Sequence, residues 1–237
     1  MAYNRNPQNP NNFIIIDFET GGLSSIKNAI TEVALISIDG GDLKKISEYQ
    51  SLIGVYDEGL EYDQKALNVT GITMEMIEDE GMGIREVAEA VLNQFEIANI
   101  RKEKSPGLRP VLVGHNIPFD LKCLHHLMQW GLKDTKLDPN KELERVLHGT
   151  VDHFGNFQPS YLDTWSIGKA WFQGDREMFD YKLATLVEKL GVDINNAHRA
   201  MNDVVSTTEV LRAYINSLRS GYNANHQGGR VGFTFQI

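Results

Sequence analysis

Phe13-Ile14-Ile15-Ile16-Asp17-Phe18-Glu19-Thr20-Gly21-Gly22 decides the reading of this chain. The run 13–16 is continuously apolar, as in a strand buried on both faces. Its continuation, Asp17-Phe18-Glu19, alternates charged, aromatic and charged residues. Side chains two apart on a strand share a face, so Asp17 and Glu19 point the same way from the end of a buried strand. Thr20-Gly21-Gly22 then turns the chain. Two carboxylates about 4 Å apart repel by roughly 4 kcal/mol at an effective dielectric near 20. A divalent cation between them reverses that sign.

Two further segments repeat the pattern of an acid at a buried element's end. Val111-Leu112-Val113 reads as a short buried strand, 114–118 as a turn, and Phe119–Trp130 as a helix with Asp120 in its first turn. Near the other end, Val204, Val205, Leu211 and Ile215 form a helical stripe, with Asp203 close to the helix start and His198 on the loop before it. An acid in a first helical turn is also what the helix dipole favours, so each aspartate alone has an ordinary explanation. Capping does not explain why the acidic pair follows so apolar a strand while both other acids lie near a His or Asn.

Around these segments the pattern predicts strands over Phe13–Phe18, Glu32–Ser37 and Lys44–Leu52, the last two joined at Asp39-Gly40-Gly41. Helices are expected over Ile84–Ala98, Phe119–Trp130, Thr164–Phe172, Tyr181–Leu190 and Asn202–Leu218. Three strands in meander followed by strand and helix alternation predict an α/β layer fold with a mixed central β-sheet flanked by helices. Residues 1–12, rich in Asn and Pro, read as a flexible leader, and 220–237 as a Gly/Asn-rich tail ending in a strand-like segment. The connection 132–161 is long, and its HGTVDHFGNF stretch suggests a small hairpin. His148, Asp152 and His153 there lack a convincing fourth zinc ligand. The basic loop of Arg101, Lys102, Lys104 and Arg109 reads as a solvated face or a weak steering patch.

Composition bounds the function. With 237 residues, 41% hydrophobic, the chain can bury a large core as one domain. Its net charge of −9 argues against a long phosphate track on duplex nucleic acid and favours short contact with a strand end. The single cysteine, Cys123, excludes an intrachain disulfide and fits a reducing compartment. Neither a signal peptide nor a run long enough to span a bilayer is read, so a cytoplasmic protein with no membrane partner is expected.

The motifs resemble those of the DEDD superfamily of 3′-to-5′ exonucleases, histidine subgroup. The pattern D-x-E-T/S-G appears as Asp17-Phe18-Glu19-Thr20-Gly21, H-N-x-x-F-D as His115 through Asp120, and H-x-x-x-x-D as His198 through Asp203. Weaker echoes are Gly71-Ile72-Thr73 and Asp163-Thr164. The resemblance implies the ribonuclease H-like fold and an exonuclease domain over 13–219. It further implies two divalent cations, Mg²⁺ or Mn²⁺, bridged by Asp17 and completed by Glu19, Asp120 and Asp203, as suits an all-oxygen donor set. His198 would take a proton from the attacking water. Thr20, Gly21 and their backbone would hold the terminal 3′-hydroxyl, Leu23 would pack on the last base, and Asn116 and Phe119 would support the site. The implied partners are single-stranded 3′ ends, DNA in a proofreading or repair role or RNA in trimming, with a polymerase or a second copy of the chain as further partners. A silent binding module of the same fold is the alternative, although none of the five motif residues is missing.

Overall fold

Strand β1 (Phe13–Thr20) pairs antiparallel with β2 (Ile30–Ile38), which pairs antiparallel with β3 (Lys45–Leu52). On its other side β1 runs parallel to β4 (Val111–Gly114). The computed structural model describes residues 11–24, 27–99, 109–192 and 199–226, with side chains through Ser220. Between β3 and β4 lie α1 (Gln64–Thr70), α2 (Met74–Glu80) and α3 (Ile84–Ala98). After β4 come α4 (Pro118–Gly131), α5 (Pro139–Val146), the hairpin β5 (Gly149–Val151) and β6 (Phe157–Pro159), and β7 (Tyr161–Asp163). Helices α6 (Thr164–Trp171), α7 (Leu183–Lys189) and α8 (Ala200–His226) are the last of the described elements. The main sheet has the order β3-β2-β1-β4-β7, so it is mixed, as expected.

Period-two alternation in β1 sorts its side chains between two cores. Ile14, Ile16 and Phe18 pack with Val87, Val91 and Phe95 of α3 and Leu124 and Leu127 of α4. Phe13 and Ile15 face the other way, with Ala34 and Ile36 of β2 and with Ala200, Val204 and Leu211 of α8. The odd-numbered face of β1 is therefore the α8 face, and Asp17 and Glu19 belong to it. Since β1, β4 and β7 are mutually parallel, their carboxyl ends gather at one edge. That edge is where open α/β sheets bind ligands.

Several short elements were not expected. Helices α1 and α2 are too brief to show a period; α1 is set by its caps, Asp63 accepting from Lys65 N and Gly71 at φ 69°. In the long connection 132–161 the hairpin is the one expected, whereas α5 was not read, and β7 exists as a strand by pairing with β4. Helix α7 starts at Leu183, after Tyr181, and α8 runs to His226, past the expected end at Leu218. The expected strand-like end of the tail lies outside the described residues, as do residues 1–10 of the leader. Asn12 departs from the leader reading: it is buried, its amide donates to Ala98 O at 2.7 Å, and its Oδ1 accepts from Gly40 N at 3.1 Å. Among the described residues no helix is long and apolar enough to cross a membrane.

Candidate active site and metal centre

The four acids arrive from three elements, each for a local reason. Asp17 and Glu19 share the α8 face of β1. Asp203 lies in the first turn of α8, whose Ala200, Val204 and Leu211 bury against that same face. The result is that one carboxylate oxygen from each of Asp17, Glu19 and Asp203 lies within 4.8 Å of the others. Asp120 comes from the opposite layer. Buried in the first turn of α4, it accepts from Phe18 N through Oδ1 at 3.2 Å, which ties α4 to the strand carrying the pair.

The electrostatics are those of a cation site. Burial, then Asp120, Glu19 and Asp203, push the Asp17 carboxyl well above the usual range. Burial also raises Asp120, against the pull of its bond from Phe18 N. Glu19 is raised to about 7 by burial and by Asp203 and Glu32, with Arg199 opposing. All-oxygen donors that repel one another fit hard divalent cations such as Mg²⁺ or Mn²⁺, and fit soft or thiolate-bound metals poorly.

A stability prediction follows from Glu19. Its folded value, about 7, exceeds its ordinary 4.5, so the unfolded chain releases this proton first as pH rises. Metal-free stability should therefore fall between those two pH values, by roughly 3 kcal/mol at 1.36 kcal/mol per unit. Melts in chelator are expected to drop from about pH 5 to about pH 7.5, with Mn²⁺ restoring more at the higher pH. A melting temperature that rises over this interval would contradict the picture.

The turn after β1 is rigidly built. Gly21 N donates to Ala29 O at 2.8 Å, and Gly21 O accepts from Asp63 N at 2.7 Å. A Cβ on Gly21 would meet Glu61 O at 2.8 Å. Packing thus accounts for this glycine, and its backbone groups are engaged within the protein. Thr20 Oγ1 donates to Gly22 O at 2.6 Å, while Leu23 projects at 95% exposure. Asn116, at φ 61°, is exposed, and its backbone N donates to Asp163 Oδ1 at 2.8 Å. His115 Nδ1 lies 3.0 Å from Thr164 Oγ1, so the second motif is stitched to the β7–α6 junction. Phe119 is half-buried against the α3–α4 core. His198 lies outside the described residues.

Sequence reading missed Glu32 and Arg199. Glu32, fully buried, lies opposite Glu19 in the register, and Arg199 reaches it with Nε at 3.1 Å and Nη2 at 2.6 Å. One signal was available: Glu32 is the sole charge in the apolar run ITEVALISI. A charge in such a strand must be paired.

Comparison with known proteins agrees with this fold. The chain is 28% identical over 207 residues to the PolC-type DNA polymerase III of Thermotoga maritima, covering 87% of this chain and 12% of that polymerase. Its fold matches E. coli exonuclease I in complex with a dT13 oligonucleotide at a TM-score of 0.65 and 18% identity, covering 92% of this chain and 44% of that one. The zinc-bound E. coli exonuclease I–ssDNA complex matches at 0.66 and 17% identity, covering 90% and 43%. The sequence profile of the RNase T exonucleases matches residues 14–211, most of the described sheet and its helices. By that match and by its motifs, the chain belongs to the RNase T exonuclease family, of the DEDD 3′-to-5′ type.

Proposed function

We propose that the protein removes nucleoside 5′-monophosphates from the 3′ end of single-stranded nucleic acid, DNA in preference to RNA, with two Mg²⁺ or Mn²⁺ ions bound. One observation carries the reading: the convergence of the Asp17, Glu19 and Asp203 carboxylates at the carboxyl edge of a buried strand. When bound, the ions supply Lewis acidity that activates water and offsets charge on the leaving 3′-oxygen. Asp17, Glu19 and Asp203, with Asp120 beside them, would hold the ions, whose charge would favour their ionised forms. His198 accepts the proton of the attacking water.

Substrate positioning falls to the turn after β1. The Thr20 hydroxyl spends its proton on Gly22 O, which leaves its oxygen to accept from the terminal 3′-hydroxyl. Leu23 offers an exposed apolar surface to the last base. Gly21 keeps the turn tight, and Asn116 and Phe119, within the second motif, support the site. The net charge of −9 supports a grip limited to the strand end, where no base pair has to be broken. The polymerase III relatives support a proofreading context and a polymerase partner, and the ssDNA complexes of exonuclease I support DNA over RNA. A cytoplasmic setting accords with the lone buried thiol of Cys123.

The test is a 5′-labelled single strand incubated with Mg²⁺ or Mn²⁺, beside matched RNA, duplex and circular DNA. A ladder shortening one nucleotide at a time is expected, lost in EDTA and strongly slowed by a 3′-phosphate. Cutting of the circle would overturn the polarity. Inertness toward every substrate would favour the silent module, a reading that the intact set of five motif residues opposes.

A further inference from the structure

Glu32 is fully buried, and both its oxygens are engaged. Oε1 accepts from Gln50 Nε2 at 2.8 Å and Arg199 Nη2 at 2.6 Å. Oε2 accepts from Arg199 Nε at 3.1 Å and from the backbone N of Ala200 at 3.2 Å. These four bonds join β3, β2 and the start of α8. They also leave Glu32 no oxygen directed to a cation, although it lies opposite Glu19 in the sheet register. The backbone continues the chain of contacts, since Arg199 O accepts from Asn202 N at 2.8 Å and from Asp203 N at 3.2 Å.

Placing a fifth carboxylate here is costly, because Glu32 adds to the repulsion felt by Asp17 and Glu19. A buried ion pair is also a poor stabiliser compared with apolar packing of the same volume. Its advantage is directional. A planar guanidinium gripping one carboxylate through two N–H groups fixes both angle and distance. Here those are the angle and distance of the first turn of α8 relative to the sheet, hence of Asp203 relative to Asp17 and Glu19. Arg199 also directly follows His198 in the chain.

We propose that Glu32 and Arg199 are positioning residues of the metal centre: their buried fork docks the start of α8 so that Asp203 completes the site begun by Asp17 and Glu19. The proposal rests on the assignment of those three acids as metal ligands. Groups that orient a ligand without touching the metal typically change metal affinity or activity by about 10- to 100-fold when removed.

Two variants keep the net charge of the site and alter the grip. Glu32→Met/Arg199→Met replaces the pair with apolar side chains, and Arg199→Lys keeps the cation without the fork. Mn²⁺ affinity is to be measured by calorimetry on the full chain, with kcat and KM on a 5′-labelled single strand and a thermal melt of each variant. The double variant is expected to bind Mn²⁺ about 10- to 100-fold more weakly and to lose kcat by a similar factor, with KM within about twofold. Arg199→Lys is expected to fall between it and the wild type, and decides the matter if the double variant does not fold. Wild-type Mn²⁺ affinity in a folded Arg199→Lys or double variant would overturn the proposal, whatever the melting temperature. A raised KM with unchanged kcat and Mn²⁺ affinity would overturn it too, by placing Arg199 on the strand. A wild-type protein that binds Mn²⁺ yet degrades no strand refutes the exonuclease reading alone, and Mn²⁺ affinity in the variants still decides the positioning role.

Discussion

Asp17→Asn is expected to cut turnover by more than about 100-fold while raising the melting temperature of the metal-free protein. The loss must exceed the roughly 10- to 100-fold typical of groups that merely orient a ligand, because Asp17 is itself central to the acidic set. The gain in stability has a separate cause. Asp17 is buried, and it faces Asp120, Glu19, Asp203 and Glu32, each of which disfavours its charge. An amide of the same shape removes that repulsion at little packing cost. For a chain of this size each kcal/mol relieved raises the melting temperature by about 2–4 °C. Mn²⁺ should reverse the order, stabilising the wild type and leaving the variant little changed. Melts with and without Mn²⁺, beside a single-turnover assay, check both halves. A variant that is inactive because it unfolds would point to a structural aspartate instead.

His198→Ala is expected to lower kcat by about 10²- to 10⁴-fold with little change in Mn²⁺ affinity. An imidazole can accept a proton only in its basic form, so the wild-type rate should rise with pH as His198 loses its proton. Glu19 complicates the profile, since it is raised to about 7 without metal. Saturating metal removes the overlap by holding the carboxylates ionised. Under that condition a remaining rise in the wild type that vanishes in His198→Ala belongs to the imidazole. A melting temperature that drops while turnover barely changes would instead make His198 a structural hydrogen-bond partner of its loop.

Much of the site was legible before folding, because it depends on short-range periodicity. The two-residue spacing of Asp17 and Glu19 determines a shared face, and the apolar run 13–16 determines that the face belongs to a buried strand. The helical stripe of Val204, Leu211 and Ile215 likewise placed Asp203 near a helix start. The helix at Ile84–Ala98 was read with the bounds it has, since fifteen residues show an amphipathic period plainly. Some of the shorter elements escaped this reading. The three residues of β7 carry no period, and their strand state comes from parallel pairing with β4.

Only the tertiary structure decided which acids meet and from where. The odd-numbered face of β1 is the α8 face, so Asp203 joins Asp17 and Glu19 directly, whereas Asp120 comes from the opposite layer and fastens to the backbone at Phe18. No local pattern sets that arrangement, because it depends on which helix covers which side of the sheet. The pairing of Glu32 with Arg199, 167 residues away, is likewise invisible to spacing. A lone charge in ITEVALISI signals that a partner must exist, because an unpaired buried carboxylate is prohibitively costly. It does not say which of the 23 lysines and arginines that partner is. Only the packing of α8 against β2 brings the guanidinium of Arg199 within hydrogen-bond reach of that carboxylate.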